Sequence, residues 1–164
     1  ASIIGDETNF DHPHGVATSN DGKYVYVGGT YGNSLAVVDV SDPTSPNPVG
    51  VTVDSSGMSF ALRIALSPDG QFVFVVGEAD GVAVVDVADP SNPHVVASIT
   101  DSDTMDNAWG VAVSPSGSHV YVSGSVSDTL TVVQLGSRYW CSKDLTRNSS
   151  ISSLRWVSPA RQGE

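Results

Sequence analysis

Cysteine and positive charge are scarce in these 164 residues. The single cysteine, Cys141, excludes an intramolecular disulfide and any cysteine-based metal cluster. Lys and Arg number 7 against 18 Asp and Glu, for a net charge of −11. The deficit is uneven. Residues 1–135 set Lys23 and Arg63 against sixteen acids, a net of −14. Residues 136–164 set Arg138, Lys143, Arg147, Arg155 and Arg161 against Asp144 and Glu164, a net of +3. So acidic a body repels nucleic acid and anionic membranes, and no nucleic-acid partner is expected. No apolar run approaches the roughly 18 residues of a membrane span, so no membrane insertion is expected either. The chain starts at Ala1 without a charged-then-apolar leader, so a signal peptide is expected to be already removed or never included. There is no G-x-S-x-G nucleophile elbow, no phosphate-cradling glycine loop and no dinucleotide fingerprint. A sustained helical period of apolar residues is also missing from residues 1–135. With 40% hydrophobic and 15% charged residues the composition is not that of a disordered chain. At this length it suits one ordinary domain.

What is present is repetition. "VVDVSDPTSPNP" at Val37–Pro48 returns as "VVDVADPSNP" at Val84–Pro93. Aligning Gly22, Gly70 and Gly117 lays "HGVATSNDGKYVYVGG" over "LRIALSPDGQFVFVVG" and "WGVAVSPSGSHVYVSG", with spacings of 48 and 47 residues. Phe10, Met58 and Met105 then coincide, as do Asp6, Asp54 and Asp101, and "ASII" at the start matches "ASIT" at Ala97–Thr100. Each unit reads as four short strands. "GVATS", "RIALS" or "GVAVS" comes first, and "KYVYV", "QFVFV" or "HVYVS" second. "LAVVDV", "VAVVDV" or "LTVVQL" is the third, and "PVGVTV" or "HVVASI" the fourth. Turn-forming Gly, Asn and Asp between Val- and Tyr-rich runs are hairpin signals, because these turns need positive φ. The middle strands are nearly all apolar, as strands covered on both faces must be. A four-stranded unit that can bury both faces only against its neighbours is the blade of a β-propeller, so the fold class predicted is all-β, a β-propeller fragment of antiparallel blades.

Two motifs carry a family resemblance. "VVDVSDP" and "VVDVADP" resemble the LVIVD repeat, and "SPDGQFVFV" and "NDGKYVYV" resemble the YVTN-type repeat of bacterial and archaeal propellers. The resemblance covers about residues 1–135. It implies a secreted, periplasmic or cell-surface protein, because such repeats occur there, and also in lactonase-like enzymes and redox-protein propellers. Blade units are expected over residues 11–56, 57–104 and 105–135, with residues 1–4 as the last strand of a preceding blade.

The third copy stops after Leu135. Residues 136–164 hold five of the seven basic residues, two of the three tryptophans and the cysteine, and match neither the repeat nor its composition. Two explanations stand: a frame-shifted or vector-derived tail, or a C-terminal cap over the last blade. The piece missing at one end, a fourth strand, is the piece surplus at the other. Two chains are therefore expected to self-associate as a homodimer and complete a six-bladed ring, with "ASII" of each supplying the fourth strand of the other.

Candidate chemistry gathers in the loops. In "DHPHG", His12 and His14 are two apart and point the same way in an extended chain, as a copper or zinc pair would given a third ligand. Copper propellers of the nitrous oxide reductase and methanethiol oxidase types use histidines from several blades. Here His12 aligns with Phe60 and Asn107, and His14 with Leu62 and Trp109, so that pattern is not met. Asp101, Asp103 and Asp106 in "DSDTMD" resemble an oxygen-rich Ca2+ loop without the EF-hand glycine and glutamate. With Asp6 and Asp11 they would crowd one rim of the ring, as a site for Ca2+ or another divalent cation or simply as a solvated rim. Asp39, Asp42, Asp86 and Asp89 recur in each full unit and are assigned to turn capping. The function expected first is a non-catalytic scaffold or recognition module presenting acidic loops, with a protein or small molecule bound at the channel mouth. The alternatives are a lactonase-like hydrolase using a divalent cation there, and the remnant of a copper or other redox propeller.

Overall fold

The computed structural model describes residues 10–135 in full and the backbone of residues 151–155. Residues 1–4 and Asp6, for which a strand and a cation ligand are expected, lie outside the described residues, as does most of the basic tail.

The described residues form strands and turns without a helix. The first sheet is a meander of β1 (Pro13–Thr18), β2 (Tyr24–Gly29), β3 (Ser34–Asp39) and β4 (Asn47–Val53). The second repeats it with β5 (Ala61–Leu66), β6 (Phe72–Gly77), β7 (Gly81–Asp86) and β8 (His94–Thr100). The third has β9 (Ala108–Val113), β10 (His119–Gly124) and β11 (Thr129–Gln134) as antiparallel neighbours. Its fourth strand, β12 (Ile151–Arg155), comes from the basic tail and pairs parallel to β11, with Leu130 opposite Ile151 and Gln134 opposite Arg155. In the first two sheets the fourth strand follows the Asp-Pro loop and runs antiparallel. The edge that "ASII" was expected to complete across chains is thus occupied here by a strand of opposite polarity.

Local sequence explains the turns. Gly22, Gly70 and Gly117 sit at φ of 72°, 74° and 69° between the first and second strands of each sheet. A Cβ at Gly22 would meet nothing within 4 Å, so the demand for glycine there is conformational rather than steric. The preceding Ser locks each turn. Ser19 Oγ accepts the Tyr24 N–H at 2.9 Å, Ser67 Oγ the Phe72 N–H at 2.9 Å, and Ser114 Oγ the His119 N–H at 3.0 Å. The Asp-Pro turns are capped as expected. Asp39 Oδ1 accepts the Ser41 N–H, Asp42 Oδ1 the Thr44 N–H, Asp86 Oδ1 the Ala88 N–H and Asp89 Oδ1 the Ser91 N–H. These bonds favour the charged form. The carboxyls of Asp39 (chiefly through the Ser41 N–H), Asp42 (Thr44 hydroxyl) and Asp89 (Ser91 hydroxyl) are held below the ordinary value.

Packing follows the alternation of side chains along each strand. Tyr26, Leu35 and Val37 of the first sheet meet Val73, Val75, Ala83 and Val85 of the second. Phe72, Phe74, Val76 and Val82 on the opposite face of the second sheet meet Val120, Val122 and Val133 of the third. Met58 and Met105, in the connections between sheets, plug the two seams and are fully buried. β1, β5 and β9 lie side by side as the innermost strands, which is the arrangement of blades about a propeller axis.

Candidate functional site

Two kinds of loop meet at one end of the sheets: the turns between second and third strands, and the connections that enter β1, β5 and β9. Both place non-glycine residues in the left-handed region. Asn33, Asp80 and Asp128 have φ of 48°, 53° and 52°, and His12, Phe60 and Asn107 have 51°, 49° and 51°. Asn, Asp and His visit this backbone more readily than most residues; for the bulky Phe60 it is uncommon and must be held by surrounding bonds. The bonds run from sheet to sheet. The Phe60 N–H donates to Asn33 Oδ1 at 2.9 Å, and the Asn107 N–H to Asp80 Oδ1 at 3.0 Å. Thr30 adds a bond from its hydroxyl to the Ala61 carbonyl at 3.1 Å. Each turn thus latches the entry of the following sheet.

On this frame stands a row of aromatic rings. His12 and Tyr31 have centroids 4.4 Å apart, and Tyr31 meets Phe60 edge-on at 5.7 Å. The Thr30 and Tyr31 N–H groups bind the carbonyls of His12 and Asp11 at 3.0 and 3.3 Å, which fixes the Tyr31 turn against β1. On β5 and β9, the Arg63 guanidinium lies 5.4 Å from the Trp109 ring centroid and donates to the Leu62 carbonyl at 2.9 Å. These rings face solvent, with Tyr31 56% and Trp109 47% exposed. Four residues of this rim, Tyr31, Phe60, Arg63 and Trp109, were not picked out from the sequence. The signal was there in the repeat alignment, where the columns of His12 and His14 hold Phe60, Asn107, Leu62 and Trp109. Large side chains differ from blade to blade at positions where the strands themselves are nearly constant.

The sequence-predicted cation ligands are placed as follows. Asp11 Oδ1 lies 3.4 Å from His12 Nδ1, and His14 is exposed on β1. Asp101 Oδ1 accepts the Asp103 N–H at 3.0 Å, while its carbonyl accepts the Met105 N–H at 2.7 Å. The Asp106 carbonyl binds the Val126 N–H at 3.3 Å. In the equivalent loop Asp54 Oδ1 accepts the N–H and hydroxyl of Ser56, and the hydroxyl leads in holding its carboxyl below the ordinary value. Among the described residues no three His, Cys, Asp or Glu side chains come together as a metal-binding group. Asp101 and Asp54 spend carboxylate oxygens on their own turns.

The LVIVD repeat pattern matches residues 16–53 and 61–101, the first two sheets almost strand for strand. No curated protein matches the chain. Among solved structures, a protein of Lactobacillus plantarum is similar with a TM-score of 0.70 and 18% identity, over 90% of this chain and 46% of that one. The periplasmic gluconolactonase PpgL of Pseudomonas aeruginosa is similar with a TM-score of 0.63 and 21% identity, over 95% of this chain and 45% of that one. The hydrazine synthase of Kuenenia stuttgartiensis is similar with a TM-score of 0.64 and 26% identity, over 85% of this chain and 37% of that one. The chain therefore spans less than half the length of each. The chain thus carries two LVIVD repeats, its first two sheets, followed by a third sheet whose antiparallel strands follow the same plan, in the fold of a partial β-propeller.

Proposed function

We propose that the chain is a non-catalytic recognition module of an extracytoplasmic propeller protein, binding its ligand along the rim of His12, Tyr31, Phe60, Arg63 and Trp109. The observation that carries this reading is the exposed His12–Tyr31–Phe60 cluster on a frame of inter-sheet hydrogen bonds, with the Arg63–Trp109 pair on β5 and β9. Exposed aromatics normally lose rotamer freedom on binding, and rings already packed edge to edge lose less. The rim offers apolar faces and one guanidinium in an acidic surrounding. That composition favours a ligand with a flat apolar face and a single anionic group over a polyanion. The propeller supplies a rigid base, and loops at one end of such a base are where its binding residues gather.

The test is a panel of aromatic carboxylates and short peptides, screened by calorimetry against the wild-type chain and Tyr31→Ala, Phe60→Ala and Trp109→Ala. Binding that falls about tenfold or more in each variant supports the module, since stacking contacts of this kind are worth on the order of 1–3 kcal/mol. Equal binding by all three variants sinks it. The same preparations discriminate the rival readings. Turnover of simple lactones that requires stoichiometric Ca2+ and disappears in Asp101→Ala or Asp103→Ala would establish a hydrolase. Stoichiometric copper lost in His12→Ala and His14→Ala would establish a redox site.

A further inference from the structure

The two seams inside the chain define what a sheet face of this repeat expects to touch. Each sheet has a leading face, carrying Val73, Val75 and Val85 in the second and Val120, Val122 and Val133 in the third. Each has a trailing face, carrying Tyr26, Leu35 and Val37 in the first and Phe72, Phe74 and Val82 in the second. Trailing face meets leading face at both seams. Carried one repeat further in each direction, the same plan leaves one face of each kind open. The trailing face of the third sheet presents Tyr121 and Leu130. Its Tyr121 is 37% exposed where Tyr26 and Phe74 are each 2% exposed, and its Leu130 is 47% exposed where Leu35 is 0% and Val82 1%. The leading face of the first sheet carries the half-buried Val25 and Val27, with Val38 beside them 4% exposed. They line a concavity of about 420 Å³ with Phe10 at its edge, the position that Met58 and Met105 hold in the closed seams.

The polar latch has the same open ends. Asn33 takes the N–H of Phe60, and Asp80 takes the N–H of Asn107. Asp128 is the third copy, with the same left-handed backbone. Its carboxylate accepts no hydrogen bond from the described residues. The matching donor, the N–H of left-handed His12, stands at the opposite end of the molecule. An apolar face and a latch are thus open together on the third sheet, and their complements are open together on the first.

We infer that these two faces bind each other between two copies of this chain. The trailing face of the third sheet seats on the leading face of the first sheet of a second copy, and Asp128 accepts the His12 N–H across the junction. Tyr121 and Leu130 enter the concavity lined by Val25 and Val27. The contact continues the two seams already present, and made twice by two copies of three sheets it joins six blades, within the four to eight of closed propellers. It requires no exchange of strands, so β12 keeps its place beside β11.

Light scattering after size exclusion on the 164-residue chain decides the matter. The expected mass is that of two 17.0 kDa chains. Leu130→Lys, at an exposed site in the lone chain, is expected to give a monomer with an unchanged circular dichroism spectrum. Asp128→Gly, which keeps the left-handed backbone and removes the acceptor, is expected to weaken association about tenfold, and Asp128→Asn to restore it, as Asn33 serves in the first seam. A wild-type monomer at all concentrations would overturn the inference. A dimer indifferent to Leu130→Lys and Asp128→Gly would overturn it as well, by placing the contact elsewhere.

Discussion

β6 and β10 are the same strand of successive repeats, "FVFVVG" and "HVYVSG", yet they live in different surroundings. All six residues of β6 are buried. In β10 only Val120, Val122 and Gly124 are buried, and Tyr121 and Ser123 are exposed. Both strands pair on both edges, and both alternate their side chains. The difference lies in neighbours: the second sheet is covered on both faces and the third on one. Burial in this fold is therefore a property of the stack, as expected of a repeat architecture whose units contact only those beside them.

The sharpest way to break that comparison is to shave the same ring in both strands. Phe74→Ala should cost about 3–5 kcal/mol in urea unfolding, because it empties a closed seam, whereas Tyr121→Ala should cost about 1 kcal/mol or less in a monomeric sample. Equal losses would show that the third sheet is covered after all. A smaller effect is expected from Gly70→Ala, about 1–2 kcal/mol, since a Cβ is forced into the left-handed region at a turn that hinges the second sheet. The same substitution at Gly117 should cost somewhat less, because a Cβ at Gly70 would also crowd Asn20 Nδ2 at 3.2 Å whereas one at Gly117 meets Pro68 Cδ at 3.6 Å; a larger cost at Gly117 would contradict this. Asp80→Gly should cost about 1 kcal/mol by leaving the Asn107 N–H without its acceptor, while Asp128→Gly should leave the unfolding midpoint of the monomer unchanged.

The smallest effect concerns pH. The turn carboxyls of Asp39, Asp42, Asp54 and Asp89 are depressed in the folded chain. Their contribution is then fully present above the ordinary value of 3.8 and is lost as pH falls through the lowered values. The unfolding midpoint should hold steady from neutrality to about pH 5 and decline only in strong acid. Asp42→Asn and Asp89→Asn together should flatten that decline. A midpoint that drops between pH 7 and 5 would point to another titrating group.

Much of this was legible in the residues. The 48- and 47-residue spacings, the Gly turns and the Asp-Pro caps are local signals, each satisfied within a few bonds of its own chain, so they survive any change of surroundings. The aromatic rim left a trace only in the repeat alignment, as columns where large side chains vary, and the contacts between its rings were not legible. Tyr31 and Phe60 lie in loops and Trp109 at the start of β9, and the Tyr31–Phe60 and Arg63–Trp109 contacts each depend on two blades standing side by side. Nor was the role of Asn33 and Asp80 legible beyond turn formation, since the N–H groups they hold are 27 residues away. The acids of Asp101–Asp106 read equally well as cation ligands or as turn residues, because either use asks for short carboxylate side chains in a loop.

By itself, then, the sequence determined the repeat, the strand alternation, the positive-φ turns and the acidic character of residues 1–135. These depend on steric limits of the backbone and on charge, which act at short range or by simple summation. Only the tertiary structure decided which valines became fully buried, which rings came to share a rim, which carboxylate found a distant N–H, and that a tail strand would run parallel beside β11. Each of those outcomes is set by a neighbour far away in the chain, and the free energy of burial or pairing exists only once that neighbour is in place.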